Sequence, residues 1–130
     1  MNKAELDCAI AETCAVILRE KDTKHVIVST DPHFRRMIAR TLLVEFGIVA
    51  FEFSHPHVLS WSMFEIAADP SVRVLMLTGG IDRWIAGWVM SGIPKLAVHL
   101  SGSMYPSTYE QLTSRFRQHF DTYKFGLRII

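Results

Sequence analysis

Apolar positions along this chain follow two rhythms that alternate from one end to the other. Over residues 3–20, Leu6, Ile10, Cys14 and Ile17 recur at the three-to-four spacing of an amphipathic helix. The run HVIVS at 25–29 is short and β-branched, as in a buried strand. Thr30 and Asp31 then offer an N-cap, with Pro32 suited to a first helical position. The helix that follows has Phe34, Met37, Ile38, Thr41 and Leu42 as its inner stripe, and Gly47 ends it. IVAFEF at 48–53 is a second strand, and 54–57 a turn. A helix over 58–68 carries Val58, Trp61 and Phe64 or Glu65 on successive turns, and Asp69-Pro70-Ser71 breaks it.

The rhythm then repeats. VRVLML at 72–77 is a strand, Thr78-Gly79-Gly80 a tight turn, and 81–91 a helix with Ile81, Trp84, Ile85 and Trp88 on one stripe. KLAVHL at 95–100 is a fourth strand. Ser107 and Glu110 form a capping box for a helix to about residue 122, and FGLRII at 125–130 is a terminal strand. Strands joined through helices by short connections demand right-handed crossovers. The expected fold is therefore α/β: a three-layer α/β/α sandwich with a five-stranded, mostly parallel sheet and an extra N-terminal helix. Nothing along residues 1–130 reads as a linker or repeat, so one domain is expected.

Composition narrows the function classes. A 49% hydrophobic and 21% charged chain excludes intrinsic disorder. The net charge of +1 leaves no electrostatic footprint for nucleic acid or an anionic membrane. Arg35, Arg36 and Arg40 form the densest basic group, read as the solvated face of their helix. Cys8 and Cys14 fall on different faces of the first helix, which disfavours a disulfide. Reduced thiols, an acidic start and no long apolar run give a cytoplasmic expectation without membrane, metal or cofactor.

In a parallel α/β fold, ligands bind beyond the carboxyl ends of the strands. The candidate ligand residues there are Thr30, Asp31, His55, His57, Thr78, Gly79, Gly80, Ser101, Gly102 and Ser103. Helix N-termini at this edge suit a phosphate or other anion. The same Ser, Thr, Asp and Gly residues also cap helices wherever strands turn into them. His55 and His57 flank a proline, but local spacing supplies no third ligand, so no metal is assigned. No glycine-rich dinucleotide fingerprint, P-loop or catalytic triad appears. His99 reads as a core or interface histidine, and His25 as unremarkable.

Residues 26–42 (VIVSTDPHFRRMIARTL), with Phe46-Gly47-Ile48 after them, resemble the opening of response-regulator receiver domains. That resemblance implies a flavodoxin-like sheet of order 2-1-3-4-5. Where receivers carry a metal-binding acidic pair, this chain has Ser29 and Thr30. Where they carry the phosphoacceptor aspartate, it has Thr78 or Gly79. Magnesium-assisted phosphoryl transfer therefore has no seat. Residues 25–54 are also similar to the last cytoplasmic subdomain of flagellar and type III export-gate proteins, which implies a protein-binding, ring-forming module. Gly79-Gly80 with Trp84 resembles a rhodanese signature, but both cysteines lie in the first helix, away from any such loop.

The leading expectation is a non-catalytic regulatory or assembly module that binds protein, including a second copy of itself as a homodimer. Its expected interface is the terminal edge strand, at Phe125, Leu127, Ile129 and Ile130. The alternative is a small-ligand, nucleotide or phosphate-binding domain, or an enzyme, using the carboxyl edge.

Overall fold

The computed structural model describes residues 2–29, 31–53, 65, 69–77, 96–100 and 126–129. Helix α1 (Lys3–Arg19) opens where the Asn2 side chain accepts the Glu5 amide at 2.8 Å. Strand β1 (Lys24–Val28) follows, then helix α2 (Pro32–Phe46). After these come strands β2 (Ala50–Phe53), β3 (Val74–Leu77), β4 (Leu96–Leu100) and β5 (Gly126–Ile129). The helices expected over 58–68, 81–91 and 107–122 lie outside the described residues, Glu65 apart.

The strands run in the order β2-β3-β1-β4-β5, and every neighbouring pair is parallel. This corrects the expected order 2-1-3-4-5: β1 and β3 exchange places. The physical reason is that hydrophobic patterning cannot tell the two orders apart. Both leave β2 and β5 at the edges and bury β1, β3 and β4 between them. Specific ties select the observed order. The His25 amide donates to Arg73 O at 2.8 Å, and the Ser29 amide to Leu77 O at 3.1 Å, stitching β1 to β3 along its length. The Lys24 ammonium donates to the carbonyls of Asp69 and Val72, holding the turn before β3 against the start of β1.

Register and burial divide the sheet into two faces. Ile27 pairs with Met76 and with His99, and His25 with Val74, so these side chains share one face. There Ile27, Val74 and Met76 join Ile10, Cys14 and Ile17 of α1 and Phe34, Ile38 and Leu42 of α2 in one buried cluster. Val26, Val28, Leu75, Leu77 and Val98 point to the opposite face and are buried as well. A parallel sheet covered on both sides is the usual condition for strands that read as continuous apolar runs.

Helix α2 ends as expected but β2 starts late. Gly47 sits in the left-handed region at φ 66°, with its amide on Leu43 O at 3.1 Å. The Ile48 amide turns back to Leu42 O at 2.9 Å. Ile48 is thereby spent on closing the helix and is buried, and the strand begins at Ala50 rather than at residue 48. Among the described residues, no helix is long and apolar enough to cross a membrane.

Candidate functional site

The described part of the carboxyl edge is the end of β1 and the first turn of α2. Asp31 is the N-cap: its carboxylate accepts the His33 amide at 2.9 Å. Its own amide donates to the Ser29 hydroxyl at 3.1 Å, and Ser29 is fully buried. Arg35 reaches back from the first turn of α2. Its Nη1 donates to Ser29 O at 2.7 Å and its Nε pairs with Glu52 at 3.0 Å. Arg35 is therefore not part of a solvated basic face, as its sequence neighbourhood suggests. Its side chain is 11% exposed and binds the end of β1 to β2. Arg36 and Arg40 are exposed, as expected.

These contacts weigh on the anion reading. The helix N-terminus that would attract a phosphate already holds a carboxylate, and the Arg35 guanidinium in its first turn is committed to Ser29 and Glu52. Thr30, His55, His57, Thr78, Gly79, Gly80, Ser101, Gly102 and Ser103 lie outside the described residues. Among the described residues, no three of His, Cys, Asp or Glu gather to hold a metal. Phe125 and Ile130 are also outside them, and Leu127 and Ile129 are described by their strand pairing alone.

Two features escaped the sequence reading. The first is a buried histidine pair. His25 Nδ1 lies 3.0 Å from His99 Nε2, and His25 Nε2 lies 2.9 Å from Glu20 O. The ring centroids are 5.3 Å apart, so the facing nitrogens lie near the line joining the rings. The contact is edge to edge, a hydrogen bond rather than a face-on stack. Arg73 lies beside it, its Nη2 donating to Ile17 O at 2.7 Å. The Arg73 Nε is buried and has no hydrogen-bond partner among the described residues. Together His25 and Arg73 satisfy carbonyls at the C-terminal end of α1 that no helical amide reaches. Burial lowers the pKa of His25, and the Arg73 charge adds to this against the Glu20 contact.

The second is a patch of large apolar side chains left in solvent. Leu43, Val44 and Phe46 end α2, Val49 leads into β2, and Phe51 lies on it. Val44 is 72% exposed and Val49 53%. Among the described residues, β2 is the last strand on its side of the sheet and pairs with β3 alone. The patch adjoins a groove of about 560 Å³ lined by Phe46, Val49, Phe51 and the turn from Asp69 to Arg73. The Val49 and Phe51 positions were readable as strand residues, but only the strand order shows that their strand is an edge.

No family model matches the chain, and neither the curated proteins nor the solved structures compared with it give a match.

Proposed function

We propose that this protein is a non-catalytic interaction module that pairs with a second copy of itself through the β2 edge and the end of α2. One observation carries the reading: five large apolar side chains, at positions 43, 44, 46, 49 and 51, are exposed beside the outermost of the described strands. An open edge offers unpaired backbone groups, and an apolar border adds burial to that pairing. Charge favours an identical partner. Glu52, the one charged residue on β2, is already neutralised by Arg35, and the chain carries a net charge of only +1. Two copies related by a twofold axis would meet there without like-charge conflict.

In this reading the fold is a single-domain, three-layer sandwich of five strands working in the cytoplasm. The strand order differs from the one that the receiver resemblance implies, so the reading rests on the edge rather than on that family. The terminal strand, with Leu127 and Ile129, is the other outermost strand of the described sheet. The exposed Val49 just before β2 and the exposed Phe51 on it favour the β2 side.

Sedimentation velocity over a concentration series tests it. The wild type is expected to dimerise, and the Val49→Lys, Phe51→Lys double variant to remain a folded monomer. A wild type still monomeric at about 100 μM, where a Kd near 1 μM would be saturated, overturns it. So does a dimer that Leu127→Lys abolishes and the β2 variant leaves intact.

A further inference from the structure

Two histidines buried against each other inside an apolar layer need a defined proton arrangement. The Glu20 carbonyl can only accept, so His25 Nε2 carries a hydrogen. In the neutral ring Nδ1 is then an acceptor, and the hydrogen between the rings belongs to His99 Nε2. The result is a directed chain: His99 donates to His25, and His25 donates to the carbonyl at the end of α1. It links the end of α1 and β1 to β4, a strand 74 residues further along the chain.

The contact between the two rings has no place for a second hydrogen. A proton on His25 Nδ1 faces the hydrogen of His99 Nε2 across 3.0 Å. The clash is relieved if His99 adopts its other tautomer or if the His25 ring turns away. Turning away also breaks the bond to Glu20 O. Burial, rather than the balance of the charges around it, opposes a proton on His25. From the segment before β3, the Arg73 guanidinium acts against a charged His25; from the end of α1, Glu20 acts for it. Lys24 precedes His25 but is tied to the turn at Asp69 and Val72. Lys21 and Asp22 are exposed on the turn after α1, and Arg128 is the register partner of His99 on β5.

We propose that the His25–His99 pair is a proton-operated latch that holds the last turn of α1 on the sheet at neutral pH and releases it on acidification. The latch is independent of the self-association proposed above. What it would regulate is the α1 surface: the end of α1 borders an apolar groove of about 390 Å³ between α1 and α2, lined by Ile10, Cys14, Leu18, Met37 and Phe46 among others.

Two measurements on the unmodified full chain test it. Long-range nitrogen-detected NMR of the imidazoles at pH 7.5 reads the tautomers directly. The expected result is hydrogen on Nε2 of both His25 and His99; hydrogen on His25 Nδ1 overturns the proposal. Amide exchange, corrected for intrinsic rates, is then compared at pH 7.5 and 5.5. An opened His25 takes up its proton with a pKa near 6.5 and the closed one resists it, so the opening equilibrium gains up to about tenfold over this interval. Protection is expected to fall by up to that factor at the last turn of α1, residues 16–20, and to hold at the Ile38 and Leu42 amides of α2. Equal loss in both helices means global acid unfolding and overturns the latch, as does no loss in either. His99→Gln should flatten the pH dependence at residues 16–20; a variant of native spectrum that keeps it also overturns the proposal.

Discussion

Asp31 is where a capping residue and a functional acid make opposite predictions about stability. Its carboxylate accepts the His33 amide at 2.9 Å, Pro32 holds the first helical position, and the Asp31 amide is taken by Ser29 Oγ at 3.1 Å. Asp31→Ala removes only the first of these bonds. The His33 amide is then exposed to water rather than stranded, since Pro32 and His33 are both exposed. The cost should be that of an ordinary N-cap, about 1 kcal/mol within a range of roughly 0.5–2. Asp31→Asn keeps the acceptor and loses the charge at the positive helix end, about 0.3–1 kcal/mol. The order of stability is therefore wild type, then Asn, then Ala. Urea unfolding followed by circular dichroism, with the slope unchanged between variants, measures it. The Ala variant should melt about 4 °C lower. An acid held at a strand end for binding or catalysis is maintained at the expense of stability, and removing it stabilises the fold. Either substitution raising stability by about 1 kcal/mol or more would refute the capping account and return Asp31 to the ligand reading.

Other outcomes follow from single contacts. Gly47→Ala should cost about 1 kcal/mol, because an added Cβ meets nothing within 4 Å and only the left-handed backbone is penalised; urea unfolding reads it, and a loss above about 3 kcal/mol would mean a packing role. Alkylation with mass-spectrometric readout should label exposed Cys8 well before Cys14, whose thiol is buried and pushed up to about 11; equal rates would contradict the packing of α1. Overall stability should fall with pH below about 6.5, because a lowered His25 pKa favours folding above the unfolded value and is lost as pH drops toward the folded one. His25 adds at most about 1.4 kcal/mol per pH unit to that slope, and a His25→Gln variant with an unchanged slope would sink the assignment.

What could be read from sequence, and what could not, follows from the range of the forces involved. The start of α2 was legible because Asp31, Pro32 and the apolar stripe from Phe34 act within a few residues of each other. The end of α2 was legible for the same reason, through Gly47, while the Ile48 amide turning back to Leu42 was not. Arg35 looked like one of three solvated arginines because its partners, Ser29 O and Glu52, come from the end of β1 and from β2, two strand positions apart, and meet it only once the sheet is assembled under α2. His25 looked ordinary because its partner is 74 residues away and on a strand whose adjacency the apolar pattern leaves open. Strand order is the common missing term. With β1 beside β4, two buried histidines become one hydrogen-bonded unit; with β3 between them, as in the order 2-1-3-4-5, His25 and His99 would lie two strand spacings apart and could not touch. The histidine contact therefore tests the topology as well as the latch. If NMR shows the two rings exchanging no hydrogen bond, the arrangement of β1, β3 and β4 is itself in question.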